Sequence, residues 1–250
     1  MGRRDDTDLG GTGYAFLTTH WSLIDGIQRG GDGAGALVDA LLKRYWRPVY
    51  CCLRRKGCDN EQAKDLTQGF FHEIVLSRGL LQRADRSQGR FRAFLRHALD
   101  QYLINEKARE RTRKRSPRGG LVSLEGMDLT ALPQMISTMT PEDSYNYAWL
   151  CDLLERILAE VEADCRRDAL DLHWTIFRER VVLPVLGDGV PPSAKELCHR
   201  YGLNDEKKVS NMLVTVKRRF QAALREHIRA TVADKDDVDG EMRELLRYLP

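Results

Sequence analysis

The chain has 250 residues, more than one small helical core usually needs and enough for two compact lobes with a linker. Its 42% of hydrophobic residues can fill buried cores, its 31% of charged residues suits a soluble helical protein, and no apolar run reaches the ~18 residues of a membrane span. A net charge of only +3 singles out no partner, so the distribution of charge along the chain has to carry that reading.

Residues 1–13 are polar and Gly-rich and lack the apolar centre of a signal peptide, so residues 1–20 are expected to be a flexible N-terminus of a cytoplasmic chain. Strand signals are nearly absent and helical periodicity recurs throughout, which predicts an all-α fold. A first helix is predicted over residues 34–56, ended by Gly57. A second starts at Asp59, a cap whose box is completed by Gln62 three residues later. Ala63, Leu66, Phe70 and Ile74 form its apolar stripe, widened by Phe71, with Asp65, Gln68 and His72 opposite. A third, long helix is predicted over residues 88–115, with Phe91, Phe94, Leu95, Ala98, Tyr102 and Leu103 as its apolar face. Its last turns are almost purely basic: residues 105–120 hold seven Lys/Arg against two Glu.

Ser116-Pro117-Arg118-Gly119-Gly120 breaks the pattern, and residues 116–140 read as a flexible linker. Residues 121–164 are acidic, with nine Asp/Glu against one basic residue. Thr140 as cap, Pro141 in the first position and Glu142 and Asp143 in the first turn make a strong helix start. Helices to about residues 164 and 186 follow, then a turn at Gly187-Asp188-Gly189 with Pro191-Pro192. Ser193 and Glu196 form another capping box and open a short helix with Ala194, Leu197 and Cys198 on its inner side. It stops at Tyr201-Gly202, after which Leu203 and Asn204, a fresh cap, lead into a long helix. A short helix, a tight Gly-containing turn and a second helix are the helix-turn-helix pattern.

That second helix has Val209, Leu213, Val216, Phe220 and Leu224 inside and Lys207, Asn211 and Arg218 opposite, with Val214 and Thr215 flanking and Lys208, Lys217 and Arg219 to the sides. Residues 205–230 carry seven Lys/Arg against three acids. A helix seated in a major groove needs amide and guanidinium groups toward base edges and flanking cations toward phosphates. Two basic segments separated by an acidic one suggest two phosphate-facing surfaces. Met242, Leu245, Leu246 and Leu249 are spaced as one face of a C-terminal tail over residues 231–250, expected to pack on the C-terminal lobe, with a docking helix as the alternative.

The six cysteines, Cys51, Cys52, Cys58, Cys151, Cys165 and Cys198, contain no CxxC pair, and with the six histidines they give no zinc-ligand spacing. They read as buried free thiols, Cys198-His199 included, and no metal or cofactor is expected.

Asp65-Leu66-Thr67-Gln68-Gly69-Phe70-Phe71 resembles the D-L-x-Q-x-x-F signature of bacterial sigma factors of the sigma-70 family. Phe91-Arg92-Ala93-Phe94-Leu95, followed by Asn105 and basic residues, resembles the family's next block, with Phe94 where most members have Trp. The C-terminal helix pair resembles its last DNA-binding region. With no middle domain between the lobes, the nearest group is the extracytoplasmic-function (ECF) type, and Thr18-Thr19-His20-Trp21-Ser22-Leu23 looks like the start of its planctomycete-like group. The resemblance spans roughly residues 21–228.

It implies an N-terminal sigma region 2-like domain over residues 21–115 and a sigma region 4-like helix-turn-helix domain over residues 141–230. Asp65, Leu66, Gln68 and Phe71 would bind core RNA polymerase, although Leu66, Phe70 and Phe71 read equally well as plain core. Arg92, Arg96, His97, Gln101, Asn105, Arg109, Arg111 and Arg113 would grip and open the minus-ten element. Lys207, Lys208, Asn211, Thr215, Lys217, Arg218 and Arg219 would face the minus-thirty-five element. Ser210 and Thr215 stand where many members carry Lys and Arg, so the recognition face is less basic and its preference does not transfer. The implied partners are core polymerase and promoter DNA, an anti-sigma factor or another regulator being a further one the resemblance admits. The free chain is expected to be a monomer without enzymatic activity.

Two other readings compete. A stand-alone helix-turn-helix regulator would dimerise on a palindromic site without polymerase. A helical metal-dependent nucleotide hydrolase would need facing acid pairs such as Glu61 and Asp65 with Glu106 and Glu110, which salt-linked surface pairs explain more simply.

Overall fold

A computed structural model describes residues 20–31, 33–77, 79–112, 139–186, 190–232 and 238–248. Among them the chain is all-helical, without strands. No helix there is long and apolar enough to cross a membrane. The described residues divide into two compact units, one within residues 1–145 and 230–237, the other within 146–229 and 238–250. The predicted N-terminus up to residue 19, nearly all of the predicted linker, Arg113, the Gly187–Gly189 turn and Leu249 lie outside the described residues.

The first unit opens with a helix the residue pattern did not predict, α1 (His20–Arg29), followed by α2 (Ala34–Arg55). In α2, Leu37, Leu41, Tyr45 and Val49 recur every four residues and are buried. α3 (Asn60–Gly69) starts on the expected box: the Gln62 amide N–H donates to Asp59 Oδ1 at 2.8 Å, and the Asp59 N–H donates to Gln62 Oε1 at 3.3 Å. The chain then runs on as a π-helical segment, Phe70–Ser77, rather than the regular helix expected there. Its i→i+5 bonding widens the turn, and the adjacent pairs Phe70-Phe71 and Ile74-Val75 are all buried.

Two 3₁₀ turns, Leu81–Arg83 and Arg86–Gln88, lead to α4 (Phe91–Thr112). Gln28 ties the first of them to α1, its Nε2 donating to the carbonyls of Leu81 (2.8 Å) and Ala84 (3.0 Å). α4 joins an aromatic core: Phe91 meets Trp21 and Tyr45 edge-on, and Tyr102 lies against Phe70. Thr140 caps α5 (Pro141–Arg167) as expected, accepting from the Asp143 N–H at 3.1 Å. The hydroxyl of Tyr145, in its first turns, donates to the Arg92 carbonyl at 3.1 Å inside the first unit.

In the second unit α5 buries Trp149, Leu153, Ile157, Val161 and Cys165, again at four-residue steps. It ends in a left-handed turn at Ala169 (φ 56°), where the Leu170 N–H returns to the Cys165 carbonyl at 2.7 Å. α6 (Asp171–Phe177) passes through a π-helical segment, Arg178–Val182, into α7 (Leu183–Leu186). α8 (Ala194–Tyr201), α9 (Glu206–Arg229) and α10 (Val238–Leu246) complete the unit, with α6, α8 and α10 all packed on α9. α10 buries Val238, Glu241 and Leu245; the expected tail face is corrected at Leu246, which is exposed. Cys51, Cys52 and Cys165 are buried thiols, and burial pushes the Cys52 thiol up to about 11. Cys58, Cys151 and Cys198 are only partly covered.

Gly69 faces Tyr102 so closely that an added Cβ would collide with the phenol hydroxyl. Gly69→Ala is therefore expected to destabilise the first unit by about 1–3 kcal/mol. In a Tyr102→Phe background, which removes the colliding atom, the same change is expected to cost clearly less. Equal losses in urea denaturation of the two backgrounds would contradict this contact.

Candidate nucleic-acid interface

α8 is set by its ends. The Ser193 Oγ accepts from the Glu196 N–H at 3.2 Å, and Glu196 Oε2 accepts from the Ser193 N–H at 2.6 Å. These bonds to Ser193 hold the exposed Glu196 carboxyl below its ordinary range. Gly202 takes the left-handed conformation at the other end (φ 64°, ψ 32°), which a side chain would strain. The next helix is capped by Asp205, not by the expected Asn204: Asp205 Oδ1 accepts from the Lys207 N–H at 2.8 Å, and α9 begins at Glu206. Ile176, Leu197 and Val209 form the buried centre where α6, α8 and α9 meet, surrounded by Leu172, Ala194, Cys198, Tyr201, Leu203, Met212 and Leu213. Glu179, in the π-helical segment after α6, accepts from both Arg200 and Tyr201 and so ties the end of α8 to that segment.

With Val209 and Val216 buried and Leu213, Phe220 and Leu224 half-buried, the inner face of α9 is the one predicted. Lys207, Asn211, Val214 and Arg218, stepped by four, three and four residues, form an exposed line on the other side. Lys208 and Lys217 are exposed beside it. Thr215 is half-buried, and its hydroxyl donates to the Asn211 carbonyl of its own helix at 2.9 Å. Arg219 departs from its expected role as an open cation. Its guanidinium donates to Asp168 Oδ2 at 2.7 Å and to the Asp164 carbonyl at 3.4 Å, at the C-terminal end of α5. The bond to Asp168 raises its pKa further.

On α4, His97, Gln101 and Asn105 are exposed, as a surface that meets DNA requires. Arg96 pairs with Glu142 at 3.0 Å and with Asp100 at 3.7 Å, and Asp100 also meets Lys56 at 3.0 Å. Arg109 is gripped by Glu73 (2.8 Å) and Glu106 (2.7 Å), which raise its pKa. Arg92, expected to grip the minus-ten element, is only 4% exposed, inside the first unit. Of Arg111 only the helical backbone is described, and Arg113 lies outside the described residues.

On α3, Asp65 is exposed and Leu66 and Gln68 are half-buried. Phe71 takes the core position that was the alternative to a polymerase contact: it is 4% exposed and stacked on Trp46 with ring centroids 5.8 Å apart. Asp65 and Gln68 therefore lie apart from Phe71, which is buried at the start of the π-helical segment. Glu61 pairs with Lys64 at 3.1 Å, and among the described residues no group of three or more His, Cys, Asp or Glu side chains is placed to hold a metal ion.

Three residues of these helices and their flanks escaped the residue pattern. Ile104 is 60% exposed on α4, a position its helical spacing from Leu95 would have revealed. Glu179 and Asp168 hold Arg200, Tyr201 and Arg219 across helices, and no spacing rule signals such pairs. Neither a protein-family model, nor a curated protein, nor a solved structure matches the chain.

The Ser193 box is expected to contribute about 1 kcal/mol to the second unit. Ser193→Ala should lower its urea midpoint accordingly, while an unchanged midpoint would mean that packing alone sets the start of α8.

Proposed function

We propose that the chain is a sigma factor of the sigma-70 family, of the ECF type: it binds core RNA polymerase, recognises the minus-ten and minus-thirty-five promoter elements and directs transcription initiation. The observation that carries this reading is the exposed line of Lys207, Asn211 and Arg218 on α9, flanked by Lys208 and Lys217, on a helix whose other side is fastened to α6 and α8. In this proposal α8 and α9 are a helix-turn-helix and the second of two lobes. α9 enters the major groove, Asn211 and Arg218 address base edges, and Lys208 and Lys217 take phosphates.

α4 is the minus-ten element of the proposal, through His97, Gln101 and Asn105 and the basic residues that follow. Exposed Asp65 and partly exposed Gln68 on α3 are its polymerase contact. The sequence supports the pairing of these surfaces, because the same order of motifs runs along the chain in the sigma-70 family. The proposed protein works in the cytoplasm, is a monomer when free, and acts by binding rather than by catalysis. An anti-sigma factor or another regulator would act by covering these surfaces.

Asp65→Ala combined with Gln68→Ala should weaken binding to purified bacterial core polymerase while leaving far-ultraviolet circular dichroism unchanged. Wild-type affinity in that variant would remove the docking face from the proposal. Asn211→Ala should relax base preference at one upstream position by about 1–3 kcal/mol, measured by competition between single-base variants of a bound promoter. An identical ranking of all variants before and after the change would contradict a base-reading role.

A further inference from the structure

Where α9 passes α5, carboxylates line the α5 side. Glu160 and Asp164 lie one turn apart on α5, and Asp168 follows at the same step just past its end. α9 runs along this row in the opposite sense. His227 Nε2 lies 2.7 Å from Glu160 Oε2. About two turns earlier on α9 the Arg219 guanidinium reaches Asp168 Oδ2 at 2.7 Å and the Asp164 carbonyl at 3.4 Å. The Asp164 carboxylate is itself taken by Arg167 at 2.6 Å, so Asp168 is the carboxylate that holds Arg219. By helical spacing Arg219 shares a side of α9 with Thr215 and Lys208, and Lys208 is exposed.

Two bonds fix where this guanidinium can go. The Asp164 carbonyl belongs to the C-terminal end of α5, where the helix dipole favours a cation, and the Asp168 carboxylate supplies a full charge. A phosphate arriving on the Lys208 side of α9 has to break both bonds to recruit Arg219. It then faces the carboxylate of Asp168, which is 45% exposed and repels it. We propose that Asp168 is a positioning residue of the α9 interface: it keeps Arg219 on the end of α5 and off the DNA backbone, so that α9 binds with one phosphate contact fewer than its cations allow. The inference rests on the DNA-binding reading of α9 and adds to it a limit on affinity set inside the second unit.

The test is the salt dependence of binding between the full chain and a short DNA duplex of mixed sequence, followed by fluorescence anisotropy. The chains compared are the wild type, Asp168→Asn, Arg219→Gln and the double variant, with circular dichroism checking that each is folded. One added phosphate contact steepens the fall of log affinity with log salt by about 0.9. Asp168→Asn should therefore bind more tightly, and its loss of affinity between about 50 and 200 mM salt should exceed that of the wild type by about three- to fourfold. Arg219→Gln alone should leave the slope unchanged, and the steepening should vanish in the double variant. No steepening in Asp168→Asn, or the same steepening without Arg219, would overturn the positioning role while the DNA reading stands. A slope made shallower by Arg219→Gln alone would overturn it too, because Arg219 would then already lie on the backbone, and this arm decides by itself should Asp168→Asn lose its fold. A wild type that binds no duplex even at low salt would overturn the DNA reading and this inference with it.

Discussion

The two sides of α9 cannot be chosen independently. It is one helix of 24 residues, and burying Val209 against α6 and α8, with Val216 buried two turns on, commits Lys207, Asn211 and Arg218 to the outside. The apolar contacts supply the stability and the helical period supplies the direction. Local bonds frame that packing: the capping box that starts α8, the left-handed Gly202 that turns the chain, and the Asp205 cap that starts α9. The aromatic contact of Phe177 with Phe220 extends the seam toward the later turns of α9.

Charge adds a second layer. Several cations that a count of basic residues would credit to DNA are already committed inside the protein. Arg219 is held by Asp168, Arg109 by Glu73 and Glu106, and Arg96 by Glu142 and Asp100. Partly exposed pairs of this kind contribute little to stability, of order 0–1 kcal/mol each. Their consequence is positional: Arg219 sits on the end of α5, and Arg109 bridges α4 and the π-helical segment. Lys207, Lys208, Lys217 and Arg218 stand exposed on α9, so local basic excess overstates the number of cations ready for phosphate without changing which face is basic.

Local chemistry made much of the fold legible in the sequence. The boxes at Asp59–Gln62 and Ser193–Glu196, the Thr140 start, the Gly202 stop and the inner stripe of α9 each follow from interactions within a few residues, and each is present. What escaped depends on longer range. The π-helical geometry over Phe70–Ser77, where the adjacent pairs Phe70-Phe71 and Ile74-Val75 are all buried, has no signal in the local spacing. Arg92 lies inside, beside Tyr145, more than fifty positions later, whose hydroxyl donates to its carbonyl. Asn204 and Asp205 are equally good caps by type, and only the path of the chain out of Gly202 selects Asp205.

The most direct measurement of the central claim is run-off transcription with purified bacterial core polymerase on genomic DNA fragments, with and without the full chain. The account predicts discrete starts that appear only when the chain is present, preceded at a constant distance by two shared sequence elements. No added starts, together with no binding to core polymerase, would contradict it and would leave the α8–α9 surface to a regulator that acts on DNA alone.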